Sequence, residues 1–312
     1  MKAVVYSKYG APEVLQLKEL EKPVPKPNEI LVKVFATSVT SGDVRLRASD
    51  FPPLFWLPAR LIFGLFRPKK QILGHEWSGA IEQVGAKVSK FKVGDKVFGT
   101  TTMLKTGAYA EYMCIPEHWS QGVVVKKPKQ LSHKEAAVLP IGSMTALFLL
   151  QKANIQRDQK VLIYGASGSV GSYAVQIANY FGTRVTGVCS TRNIEMVEQL
   201  GAETVIDYKK QDYSQSSERY DIVFDTVGKT SKSAAKKVLK HNGKFVSTKM
   251  LTKESTELLL QARQLAETGK IKPFIDKEYN LENIVETHRY VDSGRKRGNV
   301  SVVVHHQKTN EQ

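Results

Sequence analysis

The chain has 312 residues, 41% of them hydrophobic, enough to bury the cores of two domains. Lysine and arginine outnumber aspartate and glutamate 46 to 30, a formal charge of +16 that attracts polyanions but is spread along the chain rather than gathered in one tract. Two cysteines, Cys114 and Cys189, exclude a disulfide framework or cysteine-rich metal lobe, and no apolar run reaches the roughly 18 residues of a membrane span. The opening Met1 to Tyr6 runs straight into strand-like sequence without a secretory signal pattern, so a reduced, cytoplasmic setting is expected.

Residues 1–122 read as mostly β. Glu29 to Ala36 alternates in part, with Ile30, Val32 and Val34 on one face, and Gly79 to Val84, Lys96 to Gly99 and Ala108 to Ile115 are further short strands. Pro23, Pro25 and Pro27 mark an extended connection, and the spacing of the strands predicts a small, partly open barrel.

From 123 to 270 the rhythm changes to strand, helix, strand, which implies a doubly wound parallel sheet with ligand bound at the carboxyl ends of its strands. Lys160 to Tyr164 is a short buried strand, and Gly165, Gly168 and Gly171 follow it at once. Val170, Ala174, Ile177, Ala178 and Phe181 then recur at helical spacing. A glycine turn between buried strand and helix is the setting of a dinucleotide pyrophosphate, although these glycines stand three apart and are offset from the common G-x-G-x-x-G form. The next strand, Arg184 to Cys189, ends in Ser190-Thr191-Arg192. No carboxylate stands there to take the ribose hydroxyls of NAD, whereas a hydroxyl and a guanidinium suit the extra phosphate of NADPH. Strands at 204–206, 222–224 and 244–247 follow, and their order places Asp225 to Gly228, Val227 included, and Thr248 near the reactive end of the cofactor.

Leu281 to Val291 looks helical, and Gly298 to Val304 returns to a strand, so residues 271–312 are read as crossing back into the first domain. The last residues, from His305, are polar and expected to be loose. Arg295-Lys296-Arg297 is short enough to be a solvated turn, and no aromatic-rich RNA-reading motif accompanies it, so nucleic acid is not an expected partner.

The order of these landmarks resembles the medium-chain dehydrogenase/reductase superfamily over nearly the whole chain. The matching stretches are MKAVVY, YGAPEVL, ILGHEWSG, VGDKVFG, GAYAEY, LPIGSMTAL, GASGSVG and LGAETVIDY. Within it the chain looks most like the zinc-independent quinone oxidoreductase branch, similar to zeta-crystallins. The resemblance implies a GroES-like β-barrel catalytic domain (1–122 and 271–312) and a Rossmann domain (123–270). It also implies cofactor contacts from Ser167, Ser169 and Val170 at the pyrophosphate, and from Ser190, Arg192 and Tyr208 at the 2′-phosphate, with Asn299 near the domain cleft.

The zinc enzymes of this superfamily need three protein ligands and an open position. Thr40 stands where the first cysteine ligand would be, Pro140-Ile141-Gly142 where the other would be, and only His75-Glu76 survives of the histidine motif. No metal is therefore expected, and His75 reads as a polar residue of the substrate pocket. Without a Lewis acid the substrate must already be electrophilic, as quinones and α,β-unsaturated carbonyls are. Thr40, where relatives often have asparagine, is the catalytic candidate as a hydroxyl donor. No general acid stands out, because Phe51 falls where relatives place a tyrosine.

Phe51 to Phe66, FPPLFWLPARLIFGLF, is too short and too interrupted by proline to span a membrane. It reads as a lid or pocket wall, with Phe51 and Trp56 against a lipophilic substrate, as a subunit contact in a homodimer, or as a membrane-surface anchor. The expected activity is NADPH-dependent, zinc-independent hydride transfer to quinones or other activated carbonyls. The alternatives are an enone reductase without quinone activity, and a non-catalytic NADPH-linked RNA-binding or sensor protein.

Overall fold

The computed structural model describes residues 1–306; the end of the tail, read above as loose, lies outside the described residues. In chain order the elements are β1 (Lys2–Val5), β2 (Gln16–Glu19), β3 (Glu29–Ser38), α1 (Ser41–Ala48), α2 (Pro53–Phe63), β4 (Glu76–Val84), β5 (Lys96–Thr100), β6 (Tyr112–Pro116), β7 (Val124–Lys126), α3 (His133–Ala137) and α4 (Pro140–Lys152). There follow β8 (Lys160–Tyr164), α5 (Ser169–Tyr180), β9 (Arg184–Cys189), α6 (Ile194–Gln199), β10 (Thr204–Asp207), β11 (Tyr220–Asp225), α7 (Lys232–Lys236), β12 (Leu239–Ser247) and α8 (Thr256–Glu267). The chain closes with β13 (Ile275–Asn280), α9 (Ile284–Asp292) and β14 (Asn299–Val303).

Two compact units result, Met1–Pro140 with the chain from Ile275, and Ile141–Phe274. The chain leaves the first unit after Pro140 rather than after 122, because β7 pairs with β5 and α3 packs on β3 and β4. It returns at Ile275, where β13 pairs with β14.

In the first unit the strands run β13-β14-β3-β4-β5-β7, with β6 also on β3, and all pairs but β13 with β14 are antiparallel. Alternation puts Ile30, Val32, Val34, Trp77, Val97, Met113, Ile115, Val300 and Val302 into one core. Most of the Phe51 to Phe66 stretch is the helix α2, with Pro53 in its first turn, where a missing N–H costs nothing, and Gly64 closing it.

In the second unit the order is β10-β9-β8-β11-β12 and every pair is parallel. The chain winds outward from β8 through β9 to β10, then starts again on the other side with β11 and β12. The reversal lies between β8 and β11, and in such sheets the ligand crevice opens there, beyond the carboxyl ends of the strands.

Candidate functional site

The turn leaving β8 stands at that switch point. Gly165 has φ 82°, and a Cβ on it would lie 2.7 Å from Val227 Cγ1. A Cβ on Gly171 would lie 2.1 Å from the Gly165 carbonyl oxygen, so this glycine lets α5 close onto β8. Gly168 differs: the nearest atom to a Cβ there is 3.4 Å away, an ordinary contact, so the packing around it does not itself demand a glycine. No side chain caps α5 at Gly168. The amides of the first turn, at Ser169, Val170 and Gly171, are the donors an anion needs.

The neighbouring strand ends converge on this turn. Asn193 Nδ2 donates to Ser167 Oγ at 2.9 Å, tying the end of β9 to the glycine loop, and Asn193 Oδ1 is buried with no hydrogen-bond partner. Ser190 is buried, and the Tyr208 amide donates to the Cys189 carbonyl, which sets the half-exposed Tyr208 at the adjoining strand end. The carboxylate in this neighbourhood, Asp207, is already satisfied: Thr191 Oγ1 donates to it at 2.6 Å and the Lys209 amide at 3.0 Å. The Thr191 bond, first among these, holds the Asp207 carboxyl below the usual range.

Beyond β11, the fully buried Asp225 accepts from the amides of Val227, Gly228, Lys229 and Thr230 and from Ser247 Oγ. One carboxylate thus folds the loop that lays Val227 against Gly165. Thr248 is held by its amide donating to the Asp225 carbonyl. The structure therefore gathers the second-unit residues named from sequence, Asp225 included, at the carboxyl ends of one sheet, and adds Asn193. An open cradle with an unpartnered buried acceptor beside it fits a dinucleotide.

The first unit holds a separate polar cluster. Thr40 caps α1 in a capping box: Thr40 Oγ1 accepts from the Asp43 amide, and Asp43 Oδ2 accepts from the Thr40 amide and from Thr40 Oγ1 at 2.6 Å. The Thr40 hydroxyl proton is thereby committed to Asp43, not displayed to a substrate. Asp43 Oδ1 accepts from the Gly74 amide at 2.9 Å and from His75 Nδ1 at 2.8 Å. Burial pushes the Asp43 carboxyl up, but the His75 charge, with hydrogen bonds from His75 and Thr40, outweighs it and holds the group well below the carboxylate range. An ionised carboxylate only accepts, so His75 Nδ1 carries a proton and Nε2 is the atom left for exchange; the side chain is 15% exposed. Its neighbour Glu76 is buried and accepts from Ser38 Oγ at 2.6 Å. Asn299, in the same unit, opens β14 and is buried.

Phe51 and Trp56 belong to a different grouping. Phe51 stacks on Phe63 at 5.9 Å, fastening α2 to the core, while the Trp56 ring lies 5.3 Å from the Arg60 guanidinium and is 43% exposed. Burial pushes the Cys114 and Cys189 thiols up to about 11, so neither is a ready nucleophile. Among the described residues no three His, Cys, Asp or Glu side chains converge in a group able to hold a metal ion.

One chain that carries a parallel sheet with a glycine cradle at its switch point, and an antiparallel unit with a buried carboxylate and imidazole, has the make-up of a nicotinamide-dependent oxidoreductase. Residues 26–129 match the alcohol dehydrogenase GroES-like domain and residues 169–275 the zinc-binding dehydrogenase family. The chain is 30% identical to 2-methylene-furan-3-one reductase of Solanum lycopersicum over 98% of its length and 79% of the relative. It is 30% identical to the quinone oxidoreductase of Homo sapiens over 94% of each chain. The solved quinone oxidoreductase from Coxiella burnetii superposes with TM-score 0.83 at 26% identity, covering 98% of this chain and 99% of that one. The chain belongs to the medium-chain dehydrogenase/reductase superfamily, in its quinone oxidoreductase-like branch, and is an NAD(P)H-dependent oxidoreductase.

Proposed function

We propose that the enzyme uses NADPH to reduce quinones or other α,β-unsaturated carbonyls, with no protein-bound zinc. The observation that carries the reading is the closed hydrogen-bond system of the first unit. Thr40, at the position of a zinc-binding cysteine, spends its hydroxyl on Asp43, and His75 turns Nδ1 to the same carboxylate. The acid-free end of β9 supports NADPH over NADH, since Asp207 is occupied by Thr191. Likeness to a furanone reductase and to a quinone oxidoreductase supports conjugated carbonyls as the substrate class.

When bound, NADPH supplies hydride to a carbon conjugated with a carbonyl. The chain binds and orients. The first turn of α5 holds the pyrophosphate, Ser190, Arg192 and Tyr208 take the 2′-phosphate, and Asp225 fixes the loop of Val227 at the reactive end. Asp43 keeps His75 in one orientation, with Nε2 as the ring atom offered to the substrate oxygen as it gains charge. His75→Phe is expected to lower kcat roughly 100-fold while KM for NADPH stays within about threefold.

The test is anaerobic NADPH oxidation by the chelator-treated enzyme, offered a quinone, an alkenal and a simple ketone in parallel. Turnover of the quinone or alkenal without the ketone is the expected result. Ketone turnover restored only by added zinc overturns the reading. NADPH binding without any turnover assigns the chain to a non-catalytic role.

A further inference from the structure

The helix α2 is inside out. From Phe51 to His75 the chain has no aspartate or glutamate, and its charges are Arg60, Arg67, Lys69 and Lys70. Over its 11 residues α2 fully buries none, and Leu54 and the following Phe66 are 82% and 89% exposed, with Phe55, Leu57, Leu61 and Ile62 all more than half exposed. Its one charged side chain, Arg60, turns inward instead. The guanidinium lies 4.0 Å from the centre of the Tyr9 ring, donates to Ser49 Oγ at 3.2 Å, and donates to the Leu65 carbonyl. A helix at a water-facing surface buries its apolar side and shows its charge; this one does the reverse.

The helix is also firmly held from behind. Tyr9 Oη donates to the Phe63 and Gly64 carbonyls, Lys69 Nζ donates to the Leu61 carbonyl, and Phe51 stacks on Phe63. Its outward apolar side is therefore a fixed surface rather than a frayed segment. Next to it lies a hollow of about 510 Å³ whose lining includes Lys18, Lys69 and Lys105 together with Leu20 and Ile72, and no carboxylate.

An apolar ridge beside an acid-free cluster of lysines has the chemistry of a membrane-surface anchor, in which acyl chains take the ridge and anionic headgroups the cations. Eleven residues rise only about 16 Å, far short of a bilayer, so α2 lies in the interface and does not span it. A second copy is the poorer occupant, because a two-fold contact through this face would set the same cationic rim against itself. We propose that α2, Phe66 and the hollow around Lys18, Lys69 and Lys105 form a docking surface for an anionic lipid membrane. This would bring the enzyme to substrates dissolved in lipid, but the docking itself does not depend on which substrate is reduced.

The experiment is flotation of the purified full chain with vesicles of phosphatidylcholine alone or doped with phosphatidylglycerol, at low and high salt. The expected result is at least roughly tenfold more protein floating with the anionic vesicles, reduced by salt. The double variant Leu54→Ser/Phe66→Ser should lose about tenfold or more of that binding with circular dichroism and NADPH binding unchanged. Lys69→Glu/Lys105→Glu should abolish the preference for the anionic vesicles. Equal or absent binding to both vesicles overturns the proposal, as does binding that the serine variant leaves intact. Sedimentation showing a dimer that the serine variant dissociates, with no vesicle binding, gives the face to a second copy and overturns it too.

Discussion

The side chains that decide which nucleotide is held stand where β9 ends. Ser190 and Arg192 can be read from the sequence because the rule is local: a fixed distance after the glycines, on the next strand, the chain has no acid. What the sequence does not reveal is that an acid, Asp207, arrives from β10 and is neutralised as a competitor by Thr191 and the Lys209 amide. Arg192→Glu should raise KM for NADPH roughly 10- to 100-fold, the worth of a charge-assisted contact, and leave KM for NADH within about threefold. Steady-state kinetics with both cofactors measures this, and equal losses would remove Arg192 from the phosphate site. The Asp43 and His75 pair was illegible for a different reason. The residues are 32 apart in sequence, and only the fold makes one carboxylate answer both Thr40 and His75. Part of it was written locally: Thr40-Ser41-Gly42-Asp43 has capping-box spacing, a signal that already commits the Thr40 hydroxyl.

At the scale of elements, strands and helices with one polar face were legible, and α2 was not. Its residues are apolar nearly all round and Pro58 interrupts them, so no period of 3.6 marks a buried side, and the stretch reads as a loop. The turn between β8 and α5 was legible as a motif, but the roles of its glycines separate only with coordinates. Gly171→Ala forces a Cβ into the Gly165 carbonyl and should cost about 2 kcal/mol or more of stability, seen as a lower midpoint in denaturant. Gly168→Ala meets nothing closer than 3.4 Å, so the protein should melt within about 2 °C of wild type while NADPH binds roughly tenfold more weakly. Undiminished binding in Gly168→Ala would mean that the pyrophosphate does not approach this backbone.

On the scale of the whole molecule, the two units should respond differently to acid, because the buried histidines are not shared between them. His288, fully buried in the first unit, donates from Nε2 to Tyr109 Oη at 3.2 Å and accepts at Nδ1 from Arg47 Nη1 at 3.3 Å, since arginine can only donate. Arg47 is itself paired with Asp292 at 2.9 Å. Burial pushes the His288 imidazole down to about 3, with Arg47 adding to it and Asp43 opposing. His133, whose Nδ1 donates to Ser78 Oγ, is pushed down to about 4 by burial and by Lys127 and Lys96. Each folded pKa lies below the unfolded value of 6.5, so the unfolded chain binds more protons between the two. Stability is therefore complete above pH 6.5 and falls as the pH drops toward 4. At pH 5 His288 alone removes about 2 kcal/mol. Carboxylates held low, such as Glu13 and Asp95, act below their ordinary values of 4.5 and 3.8 and leave this window to the histidines. The second unit has His241 alone. Hydrogen exchange, corrected for intrinsic rates, should thus show the first unit losing well over roughly 30-fold protection between pH 7 and 5, His133 adding to His288, and the second unit losing far less. His288→Gln keeps a donor and an acceptor without a titrating ring, and should remove roughly half of that loss in free energy, leaving the share of His133. An equal loss in both units, or an unchanged loss in the variant, would place the acid sensitivity outside this buried histidine.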